Sequence, residues 1–197
     1  AVLQSARVPF VLVPDRYTAD GVVEKVRMVS QAAGAAARGE CLAAAVGDDL
    51  AALAALRARI AKPRRVMFVL SFMNGRPMVA GRNTAADGIV TLAGAVNAVT
   101  GYEGYKPIND EAAVAAAPEA VLAITRDGFR IDADTVFAHP AFAASPAAAR
   151  RAFVAMDGLY LLGFGPRTAP AARELAARLY PELTPTPRAA SAATDCR

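Results

Sequence analysis

The chain has 197 residues, a formal net charge of +4, two cysteines, one histidine and no tryptophan. With 55% hydrophobic and 20% charged residues, it is too apolar for a disordered protein. A single histidine excludes a multi-histidine metal site, and two distant cysteines exclude a CxxC pair.

The N-terminal part predicts one strand and two helices. The apolar run Val8–Val13 is typical of a buried strand. Thr18 caps a helix that Gly34 ends. A longer helix is predicted over Ala36–Ile60, which at 1.5 Å per residue is about 36 Å long. Its spacing fits equally a rigid strut between two lobes and a long surface helix of one domain. Because Ala1-Val2-Leu3-Gln4 has neither a basic start nor a long apolar core, no signal peptide is predicted, and the sequence is expected to begin inside a longer protein.

After Pro63, predicted strands and helices alternate, which indicates βαβ units and a parallel sheet. The predicted strands are Val66–Leu70, Val96–Val99, Ala120–Ile124 and Ala152–Met156. The predicted helices are Thr84–Ala93, one that Asn109 caps, Asp132–Phe137, one that begins at Ser145-Pro146, and Thr168–Tyr180. Because ligands of such sheets bind at the carboxyl ends of the strands, the segments of interest are Ser71–Gly81, predicted as a loop, Thr100–Pro107 and Asp157–Thr168.

The sequence lacks the motifs of common enzyme classes, among them GxxxxGK[ST], GxSxG, HExxH and GxGxxG. Gly163–Thr168 is glycine-rich without a P-loop lysine and is interpreted as a tight turn. His139 lies before a proline in a predicted surface loop, which favours a structural role over a ligand role. Cys41 is interpreted as a small packed residue, and together with Cys196 it decides nothing about the redox compartment.

No membrane span is expected, because the chain has no run of about 18 apolar residues without charge. The densest basic run is Lys62-Pro63-Arg64-Arg65. It has no interleaved aromatic residues, so we interpret it as a solvated turn and expect no nucleic-acid partner.

Ser71–Gly81 contains the first candidate ligand residues: Phe72, Met73, Asn74, Arg76 and Met78. Apolar side chains beside a cation suit a large flat ligand with a charged edge, since the apolar groups cover its face and Arg76 meets an anion. Alternatively, Phe72 and Met78 simply close the core. The spacing does not separate these interpretations.

Further candidates follow in the next two segments. Arg82 and Asn83 precede the helix that Thr84 begins, whose N-terminus is suited to a carboxylate. Tyr102, Tyr105 and Lys106 lie in a glycine-containing loop, where the two tyrosines either stack on a ligand or offer a phenolic oxygen, a known type of iron ligand. Ordinary loop tyrosines remain the alternative.

Several strings together resemble one family. They are Val69-Leu-Ser71, Met78 through Asp87, Leu92-Ala-Gly94, Gly101-Tyr102 through Lys106-Pro107, and Met156 through Thr168. They are similar to the C-terminal lobe of periplasmic haemin-binding proteins of bacterial haem ABC importers, over about Val8 to Tyr180. In that family two α/β lobes joined by one long helix clamp the ligand between them.

The resemblance implies an α/β fold, with a Rossmann-like lobe whose parallel sheet is flanked by helices. It implies that residues 1–17 end an N-terminal lobe that is largely missing, and that residues 18–62 form a helical linker including the strut helix. Residues 63–183 then form the C-terminal α/β lobe, and residues 184–197 a tail that is expected to be disordered.

The resemblance also implies a function: a periplasmic monomer, not an enzyme, that binds haem and delivers it to an ABC permease in the inner membrane. An outer-membrane haem receptor is implied only indirectly. The family generally holds the iron through a tyrosine of the N-terminal lobe. Some members add a histidine after Leu-Ser, but Phe72 stands there, so no second axial histidine is expected.

Glu111 matches the family's permease-docking glutamate, and its ordinary role is to complement a helix dipole. Two alternatives remain open. In the first, a protein of the same fold binds a cobalamin or an iron-siderophore complex instead of haem. In the second, the chain is a truncated lobe that retains only the docking contacts to the permease.

Overall fold

The computed structural model describes residue 5, residues 9–183 and residue 196. The strand predicted over Val8–Val13 is wrong: residues 9–13 form no strand, and Val8 lies outside the described residues. Leu12 is 79% exposed. An apolar run becomes a strand only where a neighbour satisfies its backbone groups, and no strand of the described sheet pairs with this segment.

Two helices follow, α1 (Ala19–Ala32) and α2 (Ala36–Arg57), close to their predicted positions. The Thr18 hydroxyl caps α1 by accepting a hydrogen bond from the Gly21 N–H at 3.1 Å. The two helices approach closely at Gly39, where an added Cβ atom would lie only 2.2 Å from the Ser30 Cβ. None of the helices in the described part is both long and apolar enough to cross a membrane.

The described residues after α2 build one sheet of seven strands. The strands are β1 (Arg65–Met73), β2 (Arg76–Ala80), β3 (Val96–Asn97), β4 (Tyr105–Pro107), β5 (Ala120–Arg126), β6 (Phe129–Arg130) and β7 (Phe153–Asp157). β3, β1, β5 and β7 pair in parallel, which confirms the parallel sheet that the alternation predicts. β2, β4 and β6 pair antiparallel, so the complete sheet is mixed.

Two apolar clusters cover the two faces of this sheet. The helices that follow β2 in the chain are α3 (Ala85–Leu92), α4 (Asp110–Ala116), α5 (Ala133–Ala138), α6 (Pro140–Ala143), α7 (Pro146–Ala149), α8 (Gly158–Leu162) and α9 (Thr168–Leu179). The first cluster contains Phe68 and joins α1, α2, α3, α8 and α9, whereas the second contains Met67 and Phe142. Because successive strand residues point to opposite faces, neighbours such as Met67 and Phe68 enter different clusters.

The loop predicted over Ser71–Gly81 is wrong, because this segment forms most of a β-hairpin. β1 continues to Met73, and β2 returns beside it after a two-residue turn. Asn74 and Gly75 have φ angles of 50° and 72°, the left-handed values that a tight hairpin turn requires. Asn-Gly is a strong hairpin signal when regularly alternating apolar residues flank it. The residues on either side here do not alternate regularly, so the hairpin was not predicted.

Four short elements were not predicted: β4, β6, α6 and α8. Each has two to five residues, which is too short for a hydrophobic period to be recognised. β4 has the greatest effect on the candidate site, because it places part of the predicted tyrosine loop on the edge of the sheet beside β2.

Cys41 and Cys196 form a disulfide whose Cα atoms are 5.7 Å apart. The interpretation of Cys41 as a small packed residue is therefore wrong, and its side chain lies on an exposed position of α2. A pairing across 155 residues leaves no local signal in a sequence. The disorder predicted for 184–197 falls, apart from Cys196, outside the described residues.

Candidate ligand-binding site

Most of the predicted ligand residues lie on one antiparallel ribbon made by the C-terminal half of β1, by β2 and by β4. Met73 pairs with Arg76, and Phe72 pairs with Pro77. Paired residues on adjacent strands point to the same face, and successive residues point to opposite faces. The pairing therefore divides the predicted residues between two faces of the ribbon.

The first of these faces, here called the open face, carries Met73, Arg76, Met78 and Tyr105. The Met73 and Tyr105 side chains are 53% and 38% exposed, and Arg76 is exposed as well. The Tyr105 ring packs edge-on against Phe68, with 6.2 Å between ring centroids. The open face thus presents apolar surface and a cation on one side of the sheet.

Phe72, Tyr102 and Lys106 belong to the opposite face, here called the closed face. Phe72 and Tyr102 pack against the second apolar cluster, and the Phe72 ring centroid lies 5.3 Å from that of His139. The Lys106 ammonium lies 5.1 Å from the Tyr102 ring centroid. The structure therefore favours the core interpretation for Phe72, while Met78 stays on the open face.

Burial raises the pKa of both loop tyrosines above their ordinary value of 10.0. Around Tyr105, the nearby Tyr17 raises the pKa further, and hydrogen bonds with the Ala86 N–H and with Thr84 offset the rise only in part. At neutral pH both side chains are protonated. They offer a ring surface and a neutral hydroxyl rather than a phenolate.

The N-terminus of α3 is already occupied by side chains of the chain itself. The Thr84 hydroxyl accepts a hydrogen bond from the Asp87 N–H at 3.0 Å, and the Asp87 carboxylate accepts one from the Asn83 N–H at 3.2 Å. The Arg82 guanidinium lies 3.9 Å from the Glu103 carboxylate, with both side chains more than half exposed. Arg82 and Asn83 therefore lie at the rim of the candidate site. The start of α3 behind them is already capped by the Thr84 and Asp87 side chains.

A depression of about 390 Å³ lies beside this helix terminus. It is lined by Asp15, Arg16, Tyr17, Thr18, Asn83, Thr84, Asp87, Gly88 and Thr91. The segment before α1 thus forms one of its walls. Thr84, which lines this depression, hydrogen-bonds Tyr105 of the open face, so the two features adjoin each other.

The described residues contain no group of three or more His, Cys, Asp or Glu side chains that could hold a metal ion. Glu111 is exposed in the first turn of α4, where the Asn109 side chain accepts a hydrogen bond from the Ala112 N–H at 2.8 Å. A carboxylate there complements the helix dipole, as expected.

Sequence reasoning did not foresee the role of His139. Its Nε2 lies 2.7 Å from the Gly75 carbonyl oxygen, at the turn of the hairpin that carries the open face. His139 is the N-cap of α6, and the proline that follows it is a typical first residue of a helix. The contact with Gly75 spans 64 residues and has no signal in the sequence.

These observations define a class of protein: an α/β module, preceded by a long helix, with an exposed apolar and cationic surface beside the carboxyl ends of its parallel strands. A family model described as periplasmic binding protein matches residues 2–159. The chain belongs to the periplasmic binding protein family. A comparison with curated proteins gave no match.

Solved structures give closer likenesses. The periplasmic heme-binding protein BhuT, in complex with two hemes, is 37% identical with a TM-score of 0.83; the match covers 92% of this chain and 70% of that one. RhuT from Roseiflexus sp. RS-1, a periplasmic heme-binding protein in apo form, is 35% identical with a TM-score of 0.81, over 93% and 71%. HutB of Vibrio cholerae, also a periplasmic heme-binding protein, is 29% identical with a TM-score of 0.78, over 91% and 70%.

Proposed function

We propose that this chain is the haem-binding component of a bacterial ABC importer. The observation that carries this proposal is its similarity to BhuT, which is 37% identical over 92% of the chain and was solved with two hemes bound. The chain binds haem in the periplasm without catalysing a reaction and passes it, as a monomer, to a permease in the inner membrane. An outer-membrane haem receptor is connected to it only through the supply of haem.

The chemistry of the open face supports haem as the ligand. A porphyrin is a flat apolar ring system with two carboxylates on one edge. Met73, Met78 and Tyr105 offer apolar contact to such a plane, and Arg76 is placed to pair with a carboxylate. Asn74, at the hairpin turn, adds a polar group at the rim of the same surface.

The disulfide supports a periplasmic location. Disulfides form and persist in oxidising compartments, including the bacterial periplasm, and are rare in reducing ones. The Cys41–Cys196 bond therefore agrees with the compartment in which the family works.

Glu111 is the residue we propose for docking to the permease, through an arginine of that protein. Its exposed position at the start of α4 leaves the carboxylate accessible to a partner. The variant Glu111→Gln is expected to bind haem normally and to deliver it more slowly to the reconstituted importer. An unchanged delivery rate removes Glu111 from the docking surface.

The test of the proposed function is a titration of the purified chain with ferric haem, followed by the absorbance band of the bound porphyrin. We expect saturable binding of haem, and no saturable binding of cyanocobalamin or of a ferric siderophore complex under the same conditions. No saturable haem band overturns the proposal. Saturable binding of cyanocobalamin or of the siderophore complex in place of haem favours that alternative ligand.

A further inference from the structure

His139 connects three parts of the fold that are distant in sequence. Its Nε2 lies 2.7 Å from the Gly75 carbonyl oxygen, and its Nδ1 accepts a hydrogen bond from the Ala141 N–H at 3.1 Å. The Asp110 carboxylate, at the start of α4, lies 4.0 Å from the same Nδ1. The side chain is only 18% exposed. It thus joins the hairpin turn to the N-termini of α6 and α4.

These two hydrogen bonds determine which nitrogen carries the proton. Because Nδ1 accepts from a backbone N–H, Nε2 carries the proton and donates to the Gly75 carbonyl. In a two-residue hairpin turn this carbonyl takes no part in the pairing of the strands. His139 therefore holds the turn through a group that the hairpin itself does not use.

The packing of the rings places His139 directly behind the ligand-facing surface. The Phe72 and Phe142 ring centroids lie 5.3 Å and 6.3 Å from that of His139. Phe142 is fully buried, whereas Met73, the neighbour of Phe72 in β1, points to the open face. The closed face of the hairpin is thus attached to the core through His139, and its other face carries Met73 and Arg76.

We propose that His139 is a positioning residue that fixes the hairpin turn, and with it Met73 and Arg76, for ligand binding. The part of this inference that concerns the ligand rests on the proposed function. The part that concerns the hairpin does not depend on any ligand. Hydrogen exchange tests the support of the hairpin, and haem affinity tests the link to the ligand.

Two variants separate the two hydrogen bonds of this ring. In His139→Asn, Oδ1 occupies the place of Nδ1 and still accepts from the Ala141 N–H, but nothing reaches Gly75. In His139→Gln, Nε2 occupies the place of the ring Nε2 and still donates to the Gly75 carbonyl, but the cap of α6 is lost. Hydrogen exchange of residues 71–78 in the ligand-free chain and the affinity for ferric haem are measured on both variants and the wild type.

We expect hydrogen exchange of residues 71–78 to be roughly five- to tenfold faster in His139→Asn, since that is the effect of losing one hydrogen bond. Haem affinity falls in the same variant, while His139→Gln keeps both properties near the wild type. The melting temperature follows the opposite order, because asparagine is the better N-cap. A role limited to stability cannot produce opposite orders.

Equal exchange of residues 71–78 in His139→Asn and the wild type overturns the proposal, as does an equal increase in both variants. Faster exchange with unchanged haem affinity overturns the link to the ligand. If the wild-type chain binds no haem, the proposed function fails while the exchange data still decide whether His139 holds the hairpin.

Discussion

Adjacent residues in β1 have different roles at the candidate site. Phe72 packs into the second apolar cluster beside His139, whereas Met73 is 53% exposed on the open face. Both are apolar, and the alternation of the strand separates them. Candidate ligand residues must therefore be assigned one at a time, because neighbours in the same strand lie on opposite faces of the sheet.

The charge of Arg76 is expected to contribute to haem affinity. The variant Arg76→Gln loses the pairing with a ligand carboxylate, and we expect haem affinity to fall roughly ten- to a hundredfold, since hydrogen bonds to charged groups contribute about 1.5–3 kcal/mol. Affinity is measured by absorbance titration. Arg59→Gln, an exposed position just after α2, is the matched control and should leave affinity unchanged. A loss of similar size in both variants would show that only net charge matters.

The raised pKa of Tyr105 has a direct consequence for pH dependence. Burial lifts its pKa above 10.0, so the side chain is almost entirely the neutral phenol up to about pH 9. Haem affinity should therefore show no step from Tyr105 between pH 7 and about 9. The pH profiles of the wild type and Tyr105→Phe are compared by titration. A step below about pH 9 that only the wild type shows contradicts this protonation state.

The sequence predicted the kinds of residue at the site but not their faces. Met73, Arg76 and Met78 were candidates because apolar residues beside a cation form a local pattern, and the strand pairing places the three on one face of the ribbon. Phe72 packs against a histidine more than sixty residues away, and Tyr105 belongs to a strand through its pairing with β2. Such contacts over long sequence separations leave no local trace.

At the scale of elements, side-chain caps made the helices predictable. Thr18, Thr84, Asn109 and Ser145 each cap the helix that they were expected to begin. The strand predicted over residues 8–13 is wrong and the hairpin was not predicted, because a segment becomes a strand only through pairing with a neighbour. A cap is a contact across three residues, whereas a strand pairing can span dozens.

The left-handed turn of the hairpin gives a prediction for Gly75, whose φ is 72°. An added Cβ has open space around it, so the cost of Gly75→Ala comes from the backbone alone, at about 1 kcal/mol. Urea unfolding measures this loss. Gly101→Ala, which also has open space but no left-handed φ, should be neutral. Equal stability of the two variants would exclude strain at the turn.

At the scale of the whole molecule, we propose that the open face covers one side of the haem. It adjoins a shallow recess with one wall formed by residues 15–18, rather than a closed cavity. The similar haem-binding proteins are longer, since this chain spans about 70% of each. In the proposed site this chain supplies the ribbon, the rim at Arg82 and Asn83, and the support of the hairpin by His139.

The disulfide also affects the whole molecule, because it joins Cys41 in α2 to Cys196, 155 residues further along the chain. Cys41→Ser should lower the free energy of unfolding by roughly 2–4 kcal/mol. Cys196→Ser and the double variant should show the same loss, since either change removes the same bond. Chemical unfolding without reductant measures this, with Ala44→Ser in α2 as the control. A loss no larger than that of the control would show that the bond contributes nothing to stability.

The most direct test of haem binding on the open face uses the five methionines of the chain as probes. With methyl-labelled methionine, ferric haem broadens the NMR signals of methyl groups that lie near the iron, whereas diamagnetic zinc protoporphyrin does not. We expect haem to broaden Met73 and Met78, and to leave Met67, which is buried in the second cluster on the other face of the sheet, sharp. Unchanged Met73 and Met78 signals at saturating haem, or equal broadening of all the methionines, would contradict binding at this face.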